Sequence, residues 1–256
     1  MDVREIKALT LELARSDERI EAIFESRRQP ARAKFQTMPS PPSHSPPLLA
    51  RVSALPSLAE HIEGLTARSE LWWQGGSFKL QLGQGNSYQC DFPARDFNDQ
   101  PRIQLRSLVS EEDHLVRILR GDGLIETVLV LESQQLQNNS DKARVYVEWL
   151  LSTLVGSLAQ VEHLRRCLGW DAVEYGLEVE LWSDGPIHLR FEDHGWRSDL
   201  GRPRASALPL RFPIYSVRQL ETFDQLVNEF LQDLYNAWGT KWSNKGTVDW
   251  GQLLRS

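Results

Sequence analysis

Five prolines within twelve residues, the stretch MPSPPSHSPPLL at 38–49, constrain this chain more than any other feature. Proline fixes φ and lacks an amide donor, so neither a helix nor a central strand passes through such a run. An extended, polyproline-like tether is expected instead. It sets a short amino-terminal piece apart from a body long enough for one large domain. The expected organisation is an amphipathic docking helix at 1–26, a proline-rich linker at 27–56, an α+β domain at 57–240 and a tryptophan-containing tail at 241–256.

In the amino-terminal piece Ile6, Leu9, Leu13, Ile20 and Ile23 recur at three- and four-residue steps, with Asp17, Glu18, Arg19, Glu21 and Glu25 off that stripe. This spacing predicts a helix over 3–26. An apolar helix face must be covered by something, so Leu9, Leu13 and Ile20 are candidate contacts for a protein partner. Downstream, LLARVSAL reads as a strand and 57–66 as a short helix.

The body alternates apolar and polar residues in a way that predicts hairpins. Phe78, Leu80 and Leu82 lead through a turn at 83–87 to Tyr88, Cys90 and Phe92, and PRIQLRSLV repeats the alternation with Ile103, Leu105 and Leu108. In RILRGDGLIETVL, the runs 115–119 and 124–131 flank Gly121, Asp122 and Gly123. A phosphate-binding loop would lead from a strand into a helix, but here a second strand follows, so a tight turn is expected. Leu177, Val179 and Leu181 alternate with Glu178 and Glu180, then Asp184-Gly185 turns into Ile187, Leu189 and Phe191. One buried and one wet face are expected on that second hairpin.

Two long helices complete the reading. One spans 141–168, capped by Asn139 or Ser140, with Arg165 and Arg166 in its last turn and Gly169 as its stop. The other spans 216–238, opened by a capping box of Ser216 and Gln219, with Leu220, Phe223, Val227, Phe230, Leu234 and Trp238 on its buried face. The fold class is therefore α+β, an antiparallel sheet from hairpins covered by two long helices. The stretch 195–213 reads as irregular surface loop. The tail, with Trp242 and Trp250 in a polar setting, is a strap across the body or a partner-binding segment.

Apolar residues make up 41% and charged ones 25%, as in ordinary soluble domains, and no apolar run approaches the ~18 residues that cross a bilayer. The start MDVREIKALT lacks the apolar core of a secretory signal. Cys90 and Cys167 are far apart with no metal-ligand spacing, so buried thiols, a cytoplasmic location and no membrane association are expected. The net charge of −6 gives no global attraction to nucleic acid and leaves a local basic patch open.

The chain carries no GxSxG elbow, GxxxxGK[ST] or GxGxxG loop, and its six histidines are scattered. GLEVELW has the strand and acids of a restriction-type nuclease but a leucine where lysine must organise the reacting water. No catalytic, cofactor-binding or metal-ligating set is assigned. The densest polar cluster lies at 188–199, with His188, Glu192, Asp193, His194, Arg197 and Asp199; a metal-dependent hydrolase could use such groups, but a solvated strand face and turn explains them without a site. Arg197, Arg202, Arg204 and Arg211 could instead touch phosphates.

Several stretches taken in order, RSDERIEAIFESRRQPA, LLARVSALPSL, RILRGDGLIETV, AVEYGLEVELW and FPIYSVRQLETFDQLVNEFLQDLYNAWG, resemble the carboxy-terminal accessory region of prokaryotic Schlafen-like (ATP- or DNA-binding) proteins. The Schlafen-like domain itself has no counterpart here, so no catalytic or nucleotide-binding residue carries over. The resemblance implies a non-catalytic sensor or adaptor module that binds a protein partner or larger assembly, namely a nucleic-acid-processing effector in a bacterial antiviral defence or regulatory system. A direct nucleic-acid (DNA-binding) role through the basic loop is the alternative, a hydrolase at 188–199 the third, and self-association is left open.

Overall fold

The computed structural model describes residues 3–37, 48–82, 87–93, 101–104, 106–111, 114–131, 143–183, 187–193, 196–204, 209–242 and 245–255. Helix α1 (Val3–Thr37) runs eleven residues beyond the expected boundary at 26. The composition change at Arg27 marks a new kind of helix surface rather than a helix end. Ala31 and Ala33 are strong helix formers, the arginines at 28 and 32 share a face, and Pro30 sits on the exposed side. Of the linker expected at 27–56, residues 27–37 belong to α1 and 48–56 form β1 (Leu48–Pro56), while 38–47 lie outside the described residues.

Residues 57–64 form turns instead of a helix, with single 3-10 turns at Leu65–Ala67 and Ser69–Leu71. The strands β2 (Gly76–Leu82) and β3 (Ser87–Phe92) pair antiparallel, as their alternation predicts. The run expected as one strand at 101–109 breaks into β4 (Arg102–Gln104) and β5 (Ser107–Glu111), which pair with each other. Leu105 is outside the described residues and Ile103 is exposed.

The Gly-Asp-Gly stretch is a turn between β6 (Leu115–Arg120) and β7 (Ile125–Leu131). The Asp122 carboxylate accepts from the Leu124 amide and from Arg120, and Gly123 takes φ +77°. A side chain at Gly123 would place Cβ 2.6 Å from Pro56 Cγ, so both backbone sign and space require glycine there.

The next helix starts six residues later than expected. Residues 143–146 form β8 (Ala143–Tyr146), which pairs in parallel with β10 (Ile187–Asp193), and α2 (Val147–Leu168) follows. The caps expected at Asn139 and Ser140 lie outside the described residues. The stop at Gly169 is as expected, in the left-handed conformation at φ 68°. Arg165 does more than complement the helix dipole: its buried guanidinium donates to the carbonyls of Val173, Val217 and Arg218. Burial is the main influence on this group and lowers its pKa.

Strand β9 (Tyr175–Trp182) does not pair with β10, contrary to the hairpin expected at Asp184-Gly185. It lies beside β1 instead, with Ala54 opposite Leu177 and Val52 opposite Val179. Its second edge takes β12 (Leu210–Arg211) and β13 (Tyr215–Val217). β10 pairs with β11 (Trp196–Arg204), so the first half of the expected surface loop is a strand. The capping box at Ser216–Gln219 is absent for the same reason: Ser216 is committed to the ladder with Gly176. The helix, α3 (Phe223–Ala237), begins after a 3-10 turn at Leu220–Thr222. β14 (Gly246–Val248) then pairs with β2, and α4 (Trp250–Leu253) ends the chain's regular structure. The tail is a strap.

The result is α+β, with antiparallel pairing throughout the described strands except between β8 and β10. The main sheet runs β12-β9-β1-β7-β6-β5-β4. Ala50, Val52, Ala54, Leu177, Val179 and Leu181 on its inner face share one core with α2, α3, β2 and the tail. Gly156 on α2 allows Phe92 to approach so closely that a Cβ would lie 2.1 Å from its ring. Phe92 in turn stacks on Trp73, centroids 6.0 Å apart. Gly156→Ala is therefore expected to cost about 1–3 kcal/mol by overpacking, read as a lower Tm. An unchanged Tm would mean the ring has room to move.

Candidate functional site

The outer face of the main sheet carries the chain's most unusual chemistry. Register alone assembles it. Arg51 in β1 lies opposite Glu180 in β9 and Val128 in β7, and Ser53 lies opposite Glu178 and Glu126. Three carboxylates and one guanidinium thus crowd the middle of one face, a net of two negative charges, and all four residues are at most 1% exposed.

Helix α1 closes over them with three arginines. Arg27 Nε donates to Glu126 Oε1 at 3.1 Å, Arg28 forks onto both oxygens of Glu178, and Arg32 donates to Glu180. Arg51 sits at the centre, reaching Glu180 Oε2 at 3.2 Å, Glu126 Oε2 at 3.3 Å, Ser53 Oγ at 2.7 Å, and Glu178. At the rim Glu21 and Glu25 also accept from Arg28, and Arg211 lies 3.8 Å from both Glu25 and Glu180. Burial alone would lower the Arg28 pKa, but the hydrogen bonds and charges of Glu178, Glu21 and Glu25 outweigh it and hold the pKa above the ordinary arginine value. The Arg28 hydrogen bond and charge also keep exposed Glu25 below the usual carboxylate range.

Small apolar patches flank this ionic middle. Ile20 and Phe24 pack with Leu55 and Leu124 at one end, and Ala31 packs with Leu49, Val109, Val116, Val128 and Val130 at the other. Both patches are separate from the inner core. Buried ion pairs add little net stability because desolvation offsets attraction, but a wrong register leaves charges unpaired. The joint therefore specifies where α1 sits more than it strengthens the fold. One atom in it is unsatisfied: Arg32 Nε is buried without a hydrogen bond among the described residues.

The residues singled out in the sequence are placed elsewhere or otherwise. Ile20 is buried against its own sheet, and the side chains of Leu9 and Leu13 lie outside the described ones. Trp242 packs on Tyr235 at 4.9 Å, and its Nε1 donates to Asn228 Oδ1 at 3.4 Å. Trp250 is buried, stacks edge-on with Phe223 and donates to Asp224 Oδ1 at 2.9 Å. Both tryptophans thus anchor the strap. A cleft of about 720 Å³ beside α3, lined by Glu221, Asp224, Asn228, Glu229, Trp242 and Lys245, lies against it.

Of the four arginines read as a basic patch, Arg211 is at the ionic rim while Arg197, Arg202 and Arg204 lie along β11. The ladder sets Arg197 opposite Glu192 and Asp199 opposite Arg190, so acids and bases alternate across the strands of the cluster at 188–199. Among the described residues no group of three or more His, Cys, Asp and Glu is placed to hold a metal ion. Glu178 and Glu180, the acids of the nuclease-like strand, are held by arginines of the joint. No helix among them is long and apolar enough to cross a membrane.

Cys167 is exposed, contrary to the expected buried thiol, whereas Cys90 is buried as expected. Burial, with the charges of Glu148 and Asp91, pushes the Cys90 thiol up to about 12, and burial with the Glu70 charge also raises Cys167. Because the thiolate is the reactive form, the folded chain at pH 8 is expected to take one equivalent of iodoacetamide, at Cys167, and two only in denaturant. Labelling of Cys90 in the folded chain would contradict its burial.

Sequence reasoning missed the joint because each of its groups has an ordinary local explanation. The usable signal was Arg51 inside the apolar run LLARVSAL together with alternating glutamates on β9, since a charge on a central strand needs a partner across the sheet. Compared with known protein families, curated proteins and solved structures, the chain has no match in any of the three.

Proposed function

We propose that this chain is a non-catalytic sensor or adaptor module that binds a protein partner through the joint between α1 and the outer sheet face. The observation that carries the reading is the separation of that joint from the inner core. α1 is held by an arginine–glutamate network and two small apolar patches, while α2, α3 and the strap close the opposite face. Release of α1 would leave the inner core intact and present two complementary surfaces, a helix bearing Arg27, Arg28 and Arg32 and a sheet face bearing Glu126, Glu178 and Glu180. Either can recognise a partner segment of opposite charge with high register specificity. The resemblance to the accessory region of Schlafen-like proteins suggests a partner: a nucleic-acid-processing effector in a bacterial defence or regulatory system, encoded beside this chain.

Locking the joint tests this reading. Ser16 Oγ donates to the Ser57 carbonyl, so a Ser16→Cys, Ser57→Cys chain in a Cys167→Ser background can be closed with a short bis-maleimide. The closed chain is expected to lose at least about tenfold in capture of the neighbouring gene product, with capture retained before cross-linking. Equal capture by closed and open chains would refute a role for the joint.

A further inference from the structure

We propose that Cys167 and His163 of α2, together with the backbone carbonyl of Glu70, form a binding site for a zinc-class divalent ion. The two side chains are four residues apart, so the helix stacks them on one face. Cys167 Sγ lies 3.6 Å from His163 Nε2, and the Glu70 carbonyl oxygen lies 2.7 Å from that nitrogen and 3.8 Å from the sulfur. Thiol and imidazole thus both direct a proton at a single carbonyl oxygen. A cation at their meeting point takes the place of those two protons.

The spacing suits that replacement. Tetrahedral zinc holds sulfur at about 2.3 Å and imidazole nitrogen at about 2.0 Å, which sets the two donors roughly 3.6 Å apart. The sulfur–nitrogen separation already has this value, and the sulfur–oxygen separation is close to it. Only the nitrogen–oxygen edge is short, because a proton bridges it, and it must open by about 0.7 Å. The carbonyl is held in place independently. Gln160, on the same helix face, donates to the Leu71 carbonyl at 2.8 Å and accepts from the Trp73 amide at 3.0 Å, which docks the 3-10 turn at Ser69–Leu71 on α2. Burial and the Glu70 charge both disfavour a bare Cys167 thiolate, and the same charge favours a cation beside it. Cys167 is exposed and His163 half-buried, so an ion can enter from solvent. Two side chains and a carbonyl leave the fourth position to water, which makes the site weaker than a closed four-ligand one.

The site shares no residue with the joint beneath α1, so the adaptor reading stands or falls apart from it. The test titrates the full chain with Co²⁺, whose thiolate charge-transfer band reports a bound cysteine, and then displaces it with Zn²⁺. A band that saturates at one ion per chain and disappears on adding Zn²⁺ is expected. Cys167→Ser should abolish it, His163→Ala should weaken the affinity at least about tenfold, and Cys90→Ser should leave it unchanged. Because binding releases protons, the affinity should fall several-fold for each pH unit below 8. Zn²⁺ should also slow alkylation of Cys167 by iodoacetamide several-fold in the parent chain and not in His163→Ala. Absence of the band, or its survival in Cys167→Ser, would overturn the inference. So would equal affinity in His163→Ala, which would leave an ion held by a thiol alone.

Discussion

Glu178→Ala is expected to accelerate amide exchange in residues 16–37 by roughly a hundredfold or more while leaving α2 nearly unchanged. Glu178 is 1% exposed and accepts from two guanidinium groups, Arg28 of α1 and Arg51 of β1. Its removal leaves Arg28 buried with, among the described residues, the exposed Glu21 and Glu25 for partners. Breaking one member of a buried ionic set costs about 3–5 kcal/mol, far more than the intact set contributes. At about 1.4 kcal/mol per tenfold, that corresponds to two or more orders of magnitude in an opening equilibrium. The cost falls first on α1, because lifting the helix rehydrates Arg28 without touching the inner core. Adding Arg28→Met to Glu178→Ala should then cost much less than Arg28→Met in the parent, since the two share one interaction. Equal acceleration in α1 and α2 would show that joint and core open as one unit, and would remove the basis for a releasable helix.

Phe230→Ala is expected to do the opposite, destabilising the whole domain by about 3–5 kcal/mol. Phe230 is fully buried on α3, where its ring meets Phe212 edge-on at 5.1 Å and Tyr215 at 6.4 Å. Tyr215 is itself tied down: its hydroxyl donates to Asp233 at 2.8 Å, and burial together with that carboxylate raises its pKa well above the ordinary value. The cavity left by the missing ring therefore has little freedom to collapse. The urea midpoint should fall with little change in slope, and amide exchange in α2 should accelerate with the loss of global stability. A loss below about 1 kcal/mol would mean that the aromatic cluster repacks around the gap.

The two substitutions divide the molecule along a boundary that local sequence could not mark. Leu220, Phe223, Val227, Phe230, Leu234 and Trp238 were legible as one helix face because a period of 3.6 residues brings them together within the element itself. All but Leu220, which is half-buried, are buried in the structure. The hairpins at 76–92 and 115–131 were legible for a similar reason: alternation and a turn are properties of consecutive residues. β9 shows where such reasoning stops. Alternation correctly separates Leu177, Val179 and Leu181 from Glu178 and Glu180, yet both sets are buried, because α1 covers the face that a two-layer reading leaves wet. The same limit explains Ser216, whose capping signal gave way to a strand position opposite Gly176.

The sequence by itself determined the class of the fold, the parity of most strands, the Gly-Asp-Gly turn and the stop at Gly169. These follow from dihedral preferences and side-chain periodicity, which act over a few residues. Only the tertiary structure decided that β9 joins β1 rather than β10, that the tail straps onto β2, and that Arg28, Arg32 and Arg51 meet Glu126, Glu178 and Glu180 beneath α1. A charged residue on a strand carries no local mark of whether water or another chain segment will face it. That choice is made by which distant segment supplies the opposite charge at lower cost than hydration, and it is settled only when the whole chain has packed.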